Sequence, residues 1–282
     1  MTHEQHKEGM QSFLNLKIKE LKNTGIENAA NEIKWFLEEN LCVKSDNLFL
    51  KKNFFVSDKQ FKKLNEFINR RLNHEPFQYI LKSATFYGYD LYVDKNVLIP
   101  RPESEVFIDV LKTKKRTFNS ALDIGTGSGN LALAIALQKL STKITAIDKS
   151  KAAIQIATKN FLKHKAQNIN CYQADFFNIN FNKKYDLVVS NPPYVSLDEY
   201  KKLSKTVKNF EPKSSLTDGS SGYTFYHKIC EMIPNIINSQ GLLLIEIGLE
   251  KHKMNIEKIF QKYSFQWHKD LQQNNRIIEI QT

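Results

Sequence analysis

The chain predicts two parts: an α/β fold built on a seven-stranded, mostly parallel sheet, and a small helical bundle in front of it. From Asn119 to the end, apolar strand-like runs alternate with helical stripes. That is the pattern of βαβ units whose sheet is covered on both faces. Before residue 73 the apolar residues recur only at helical spacing. With 282 residues, 41% of them hydrophobic and 25% charged, the chain can bury a sizeable core without staples.

In the first part, Phe13, Leu14, Ile18 and Leu21 form one helical stripe and Ile33, Phe36 and Leu37 a second. A third runs through Phe61, Leu64, Phe67, Ile68 and Leu72, with Ser57 placed to cap it. Residues 41–57 read as a connector or a short fourth helix. From Ser83 to Pro102 aromatic and polar residues alternate around Gly88 and Asp94-Lys95-Asn96, which predicts a β-hairpin. Pro100 and Pro102 hold Arg101 in an extended segment, and Glu103 opens a helix to about Lys114. Strands are then predicted over 121–125, 144–148, 169–175, 186–191, 241–248, 264–270 and 276–281. Helices are predicted over 130–139, 151–164, 223–238 and 250–262. No helix separates the last two strands, so they form an antiparallel hairpin at one edge of the sheet. Residues 196–221, with five lysines, read as a mobile loop. The domains expected are 1–74, a helical unit; 75–102, a linker with the hairpin; and 103–282, the α/β unit.

Charge and cysteines narrow the classes. The net charge is +11, of which +9 lies in residues 81–282. It is carried by 36 lysines and only 5 arginines beside 26 asparagines. Such a bias reflects AT-rich codons as readily as an acidic partner, and arginine, which reads phosphates and bases bidentately, is scarce. Cys42, Cys171 and Cys230 form no pair, which predicts a reducing compartment and no structural zinc. No apolar run approaches the ~20 residues that span a bilayer. The first residues, MTHEQHKEGMQSF, lack the apolar core of a signal peptide. The protein is therefore expected in the cytoplasm and off the membrane.

Three motifs carry chemistry. Asp123-Ile-Gly125-Thr126-Gly127-Ser128-Gly129-Asn130 follows a strand and opens a helix. Glycines there let a ligand approach the backbone, and the helix start offers free N–H groups. Alone, the loop is equally a tight turn. Asn130 stands where G-x-G-x-x-G would place its third glycine, so a nicotinamide cofactor is disfavoured. Asp148 ends the next strand, where a carboxylate accepts both hydroxyls of a ribose. Its plainer reading is a charge at a helix N-terminus beside Ser150. Asp175-Phe176 ends the third strand, where a base edge and an aromatic contact fall, although Phe176 alone reads as core. Asn191-Pro192-Pro193-Tyr194 follows the fourth strand. Its prolines stop the strand and leave the Asn191 amide and the Pro192 carbonyl as rigid, uncharged acceptors at the crevice. An Asn-Pro pair by itself is only a strand-ending turn.

In this order and spacing the motifs resemble the Rossmann-like seven-stranded S-adenosylmethionine-dependent methyltransferases, and Asn-Pro-Pro-Tyr resembles the group that methylates planar nitrogens. The flanks resemble the release factor glutamine methyltransferases: Glu75-Pro76-Phe77-Gln78-Tyr79-Ile80-Leu81, Phe86-Tyr87-Gly88, residues 97–105 (VLIPRPESE), Glu211-Pro212, Asp218-Gly219 with Gly222 and Phe225-Tyr226, and Lys269-Asp270-Leu271 with Arg276. Lys82, Ser104 and Ser220-Ser221 depart from the family pattern. The resemblance implies methyl transfer from S-adenosylmethionine, giving S-adenosylhomocysteine, to the side-chain N5 of the glutamine in the Gly-Gly-Gln motif of class 1 peptide chain release factors. No metal is implied. Asn191, Pro192, Pro193 and Tyr194 would hold the amide. Gly125, Thr126, Gly127, Ser128 and Gly129 would face the methionine portion of the cofactor, Asp148 its ribose, and Asp175 and Phe176 its adenine. Arg101 and Glu103 would brace the loop or the substrate entrance. The N-terminal bundle would grip the factor, and the enzyme would act as a monomer. The alternative is an adenine N6-methyltransferase gripping a flipped base of DNA or RNA. It is disfavoured by the few arginines and by the lack of a recognition domain after the core. A noncatalytic cofactor-binding adaptor is disfavoured by the intact motifs.

Overall fold

The computed structural model describes residues 3–42 and 56–282. Residues 43–55, most of the expected connector or fourth helix, lie outside them. The chain divides into two compact units, Met1–Leu81 and Lys82–Thr282.

The first unit is all helical: α1 (His3–Asn23), α2 (Ala29–Leu41), α3 (Asp58–Leu72) and α4 (Phe77–Leu81). The expected stripes supply its core. Leu14, Leu21, Ile33, Phe36, Leu37, Leu64, Phe67 and Ile68 cluster, and the rings of Phe36 and Phe67 stack at 4.2 Å. Ser57 caps α3 as expected. Its hydroxyl accepts from the Gln60 N–H while the Gln60 side chain accepts from the Ser57 N–H. One ion pair is buried here. Arg71 donates from Nε and Nη2 to the two carboxylate oxygens of Glu32, at 2.6 and 3.0 Å, and from Nη1 to the Glu75 carbonyl.

The second unit opens with the expected hairpin, β1 (Ala84–Phe86) and β2 (Tyr89–Leu91). Of the segment 75–102, α4 thus belongs to the first unit and the hairpin to the second. A 3-10 turn (Pro102–Glu105) leads into α5 (Val106–Thr113). The alternating part follows: β3 (Ala121–Ile124), α6 (Asn130–Leu137), β4 (Ile144–Asp148), α7 (Lys151–Lys163), β5 (Ile169–Gln173) and β6 (Tyr185–Ser190). After three short helices come α11 (Thr224–Ile236), β7 (Ile237–Glu246), α12 (Lys253–Phe260), β8 (Ser264–Lys269) and β9 (Asn275–Gln281). The strand order is β5-β4-β3-β6-β7-β9-β8. The first five strands in that order run parallel, and β9 pairs antiparallel with both β7 and β8. The central strands β3 and β6 are almost wholly buried, as a sheet covered on both faces requires.

Two expectations are corrected. Residues 196–221 are not an irregular loop: they form α8 (Leu197–Lys202), α9 (Lys205–Phe210) and α10 (Lys213–Leu216). Ser196 and Ser204 cap the first two, and the lysines lie on solvated helical turns. The helix expected over 223–238 stops at Ile236. Ile237 already pairs with Tyr185, and residues 238–241 bulge out before Leu242 pairs with Leu187.

Candidate active site

The strand order turns about β3, which has β4 on one side and β6 on the other. Chains leaving the carboxyl ends of β3 and β6 therefore diverge and leave a crevice. Ile124 lies opposite Ser190 in the register, and Ser190 Oγ donates to the Ile124 carbonyl at 2.9 Å. The glycine loop and Asn191 thus leave adjacent strands at one level.

The loop is shaped by two carboxyl groups. Asp123, 1% exposed, accepts from Thr126 Oγ1 at 2.7 Å and from the Ala132 N–H in the first turn of α6 at 3.3 Å. Asp148 accepts from the Gly127 N–H at 2.9 Å through Oδ2 and from the Ser150 N–H at 2.8 Å through Oδ1. Thr126 and Ser128 are buried, and the accessible backbone of the loop is at Gly125 and Gly127. The three glycines differ. A Cβ on Gly125 would meet nothing within 4 Å, and one on Gly127 only a carbonyl at 4.0 Å. A Cβ on Gly129 would lie 2.6 Å from the ring of Phe161 on α7. Open backbone over two glycines, with a carboxylate at the next strand tip, fits the amino-acid and ribose parts of a nucleoside cofactor. Asn160, fully buried on α7, braces this loop from behind. It donates to the Ser128 carbonyl at 2.8 Å and the Tyr92 carbonyl at 3.0 Å, and accepts from the Tyr92 N–H at 2.7 Å.

At the end of β5 the Asp175 carboxylate is engaged with Lys149 at 2.9 Å, the Phe177 N–H and the Asn178 amide. The Lys149 ammonium and these donors hold it below the usual carboxylate range. Phe176 is 4% exposed and sits in the core beside Ile147 and Tyr185. The exposed aromatic at this corner is Phe177, edge-on to Phe225 at 4.8 Å.

On the other side of the crevice, Asn191 donates from Nδ2 to Ser104 Oγ at 3.1 Å. Ser104 Oγ in turn donates to Glu246, at the end of β7 and 1% exposed. Pro192 is buried and Pro193 partly so. Tyr194 lies against the core, and its burial pushes the phenol well above its usual range. A Cβ on Gly248 would meet its ring at 2.4 Å, and one on Gly222 its carbonyl at 2.3 Å. Arg101 pairs with the buried Glu211 at 2.6 Å, which also accepts from the Ile99 N–H. Glu103, partly exposed, makes no hydrogen bond or ion pair among the described residues. Its charge raises the proton affinities of Tyr194 and Glu246.

Burial pushes Asp123 and Glu246 up, each to about 7. A raised carboxyl pKa means that the folded state holds its proton more tightly than the unfolded state. That contribution is complete below the ordinary carboxyl range and is lost as pH rises towards 7. Glu199 and Glu279 are held at about 2; the stability they contribute is complete above about pH 4.5 and is lost only as pH falls below it. Between pH 5.5 and 7.5 the melting temperature is therefore expected to fall, by about 2 kcal/mol of stability for each raised group. Asp123→Asn should flatten that slope in calorimetric scans. An unchanged slope would show that Asp123 stays ionised in the folded protein.

The comparisons with known proteins follow this division of the chain. Residues 102–211 match the model of the methyltransferase small domain, and residues 14–81 match that of the PrmC N-terminal domain. The release factor glutamine methyltransferase of Fusobacterium nucleatum is 33% identical over 279 residues, covering 96% of this chain and 78% of that protein. The chain belongs to the release factor glutamine methyltransferase family. The relative in Thermodesulfovibrio yellowstonii is 39% identical over 197 residues (68% of this chain, 71% of that one). That of Bacillus subtilis is 38% identical over 214 residues (72% and 74%). A methyltransferase of Pyrococcus furiosus shares the fold, with a TM-score of 0.53 and 22% identity over 72% of this chain and 93% of its own.

Sequence reasoning passed over Glu246, Asn160 and Gly248 and gave Ser104 no role. Glu246 had one signal, an acid inside the otherwise apolar run LLLIEIG. Among the described residues no helix is long and apolar enough to cross a membrane.

Proposed function

We propose that the protein transfers a methyl group from S-adenosylmethionine to the side-chain amide nitrogen of the glutamine in the Gly-Gly-Gln motif of class 1 release factors. The observation that carries this reading is the orientation of Asn191. Its Nδ2 is turned inward to Ser104, which leaves Oδ1 as an acceptor at the carboxyl edge of the sheet. Beside it stands the Pro192 carbonyl, on a residue with no N–H of its own. A planar NH2 group has two N–H bonds, and two rigid acceptors match them.

S-adenosylmethionine, when bound, supplies an electrophilic methyl on a sulfonium sulfur. Asn191 Oδ1 and the Pro192 carbonyl each accept one N–H of the glutamine amide and aim its nitrogen at that methyl, about 3 Å away. An amide nitrogen is a poor nucleophile because its lone pair is delocalised. The two acceptors would offset this by stabilising the positive charge that grows on nitrogen as the N–C bond forms and the methyl–sulfur bond breaks, with S-adenosylhomocysteine leaving. The proton then leaves to water, giving N5-methylglutamine. Tyr194, fixed between Gly222 and Gly248, packs on the amide plane, and Pro193 stiffens its approach. The backbone from Gly125 to Gly129 faces the methionine portion and Asp148 the ribose. Phe176 and Asp175 define the adenine end, and Arg101 and Glu103 line the entrance. The domain boundaries proposed are 1–74, a unit that grips the factor, 75–102, a linker, and 103–282, the catalytic unit. The enzyme works as a cytoplasmic monomer.

The test is transfer of labelled methyl to three acceptors side by side: a class 1 release factor, its Gly-Gly-Ala variant and AT-rich duplex DNA. Label on the intact factor alone is expected, and label on DNA alone replaces this reading by base methylation. For the cofactor, Asp148→Ala should weaken S-adenosylmethionine binding about 10-fold or more, through the lost ribose contact and the freed Gly127 N–H. Calorimetry showing unchanged affinity would remove Asp148 from the site.

A further inference from the structure

The reaction depends on which way the Asn191 amide points, and Asn191 cannot settle that alone. Oxygen and nitrogen are close in size, and a flipped amide would meet the substrate N–H with a donor. We propose that Glu246 is a positioning residue that fixes the polarity of the Asn191 amide, partly through Ser104. The inference rests on the function proposed above and deepens it.

The argument is one of donors and acceptors. Glu246 sits at the end of β7, buried, with Arg276 close enough to favour its charge. Above pH 7 it is a carboxylate and has acceptor sites only. Ser104 has one O–H, and it is spent on Glu246. Towards Asn191 the Ser104 oxygen can then only accept, which it does from Nδ2 at 3.1 Å. The Asn191 amide also lies close enough to Glu246 to lower its proton affinity. Two neighbours that can only accept thus face the same amide, and each demands its NH2 end. Oδ1 is left facing away from them. Reversing the amide would set an oxygen against two acceptors on buried residues, where unpaired polar groups are costly. The three residues come from the turn at 102–105, the tip of β6 and the tip of β7, so no local pattern brings them together.

Glu246→Gln separates polarity from shape. Glutamine has the same outline but carries a donor, so the Ser104 hydroxyl is released to turn towards Asn191 and the amide can flip. With a class 1 release factor as acceptor, kcat is expected to fall about 10- to 100-fold. The KM for the factor and the calorimetric affinity for S-adenosylmethionine should stay within about threefold. At pH 8 the variant should melt no lower than the parent, because glutamine has no charge to desolvate. A merely structural role predicts the opposite: a lower melting temperature, with activity and affinity lost together. Ser104→Ala removes the relay but keeps the Glu246 carboxylate beside Asn191, so its loss of kcat should be smaller and still measurable.

Parent-like kcat in both variants overturns the inference while leaving the proposed reaction standing. If Glu246→Gln does not fold, parent-like kcat in Ser104→Ala alone overturns it. A parent protein that labels no release factor overturns the proposed reaction, and the positioning role with it.

Discussion

Replacing Asn191 by alanine is expected to cut turnover on a release factor by about 100-fold or more while cofactor affinity stays within a few-fold. The split follows from the geometry. Asn191 leaves the tip of β6, and its side chain is tied to Ser104 rather than to the glycine loop or Asp148. Under the proposed mechanism, removing it deletes one of two acceptors that act on charge developing in the transition state, which lowers kcat more than binding. Stability should change little, because the Ser104 hydroxyl keeps Glu246 as its partner. The measurement is single-turnover transfer at saturating cofactor, with binding followed separately by calorimetry. Near-parent turnover would sink the role given to Asn191.

The second large effect is expected in the first unit. Arg71→Ala removes one half of the buried pair with Glu32, whose side chains are 7% and 12% exposed. A buried carboxylate left alone costs about 3–5 kcal/mol, and the Glu75 carbonyl also loses a donor. The pair links α2 to the last turn of α3 within a unit of about eighty residues, which has a small stability margin. Differential scanning calorimetry should show an early transition for the first unit, with that of the second unchanged. Under the proposed division of labour, the KM for the release factor should rise while S-adenosylmethionine affinity holds. One cooperative transition at the parent temperature would show that the pair contributes nothing measurable.

How much of this was legible in the sequence depended on how locally each feature is encoded. The central strands were plain, because a strand buried on both faces must be apolar along its length, as ALDIG and DLVVS are. Helix stripes and the Ser57 cap were legible for the same reason. The end of α11 was not: Ile236 and Ile237 are both apolar, and only pairing with Tyr185 makes the second one strand. Residues 196–221 misled through their lysines, although Ser196 and Glu199 already stand at capping-box spacing. In the site, the glycine loop, Asp148 and Asn191–Tyr194 are contiguous or end consecutive strands, so the motifs could be read. Glu246 and Asn160 could not, since each acts across a gap in sequence, 142 residues from Ser104 to Glu246 and 68 from Tyr92 to Asn160. A buried Asn in a helix and an acid in a strand have no pattern until the partner is known.

A chemist wishing to load this crevice with an enlarged methyl donor would find slack in two places and none in the third. Gly125 and Gly127 have free volume beside them, whereas the space next to Gly129 is filled by Phe161. Three identical letters of one motif thus answer to different tolerances: two to the bulk of the guest, one to the closeness of a helix. All three glycines sit at positive φ, where a side chain is strained whatever the space, so the slack at Gly125 and Gly127 is room for a guest and the loop itself should stay unvaried.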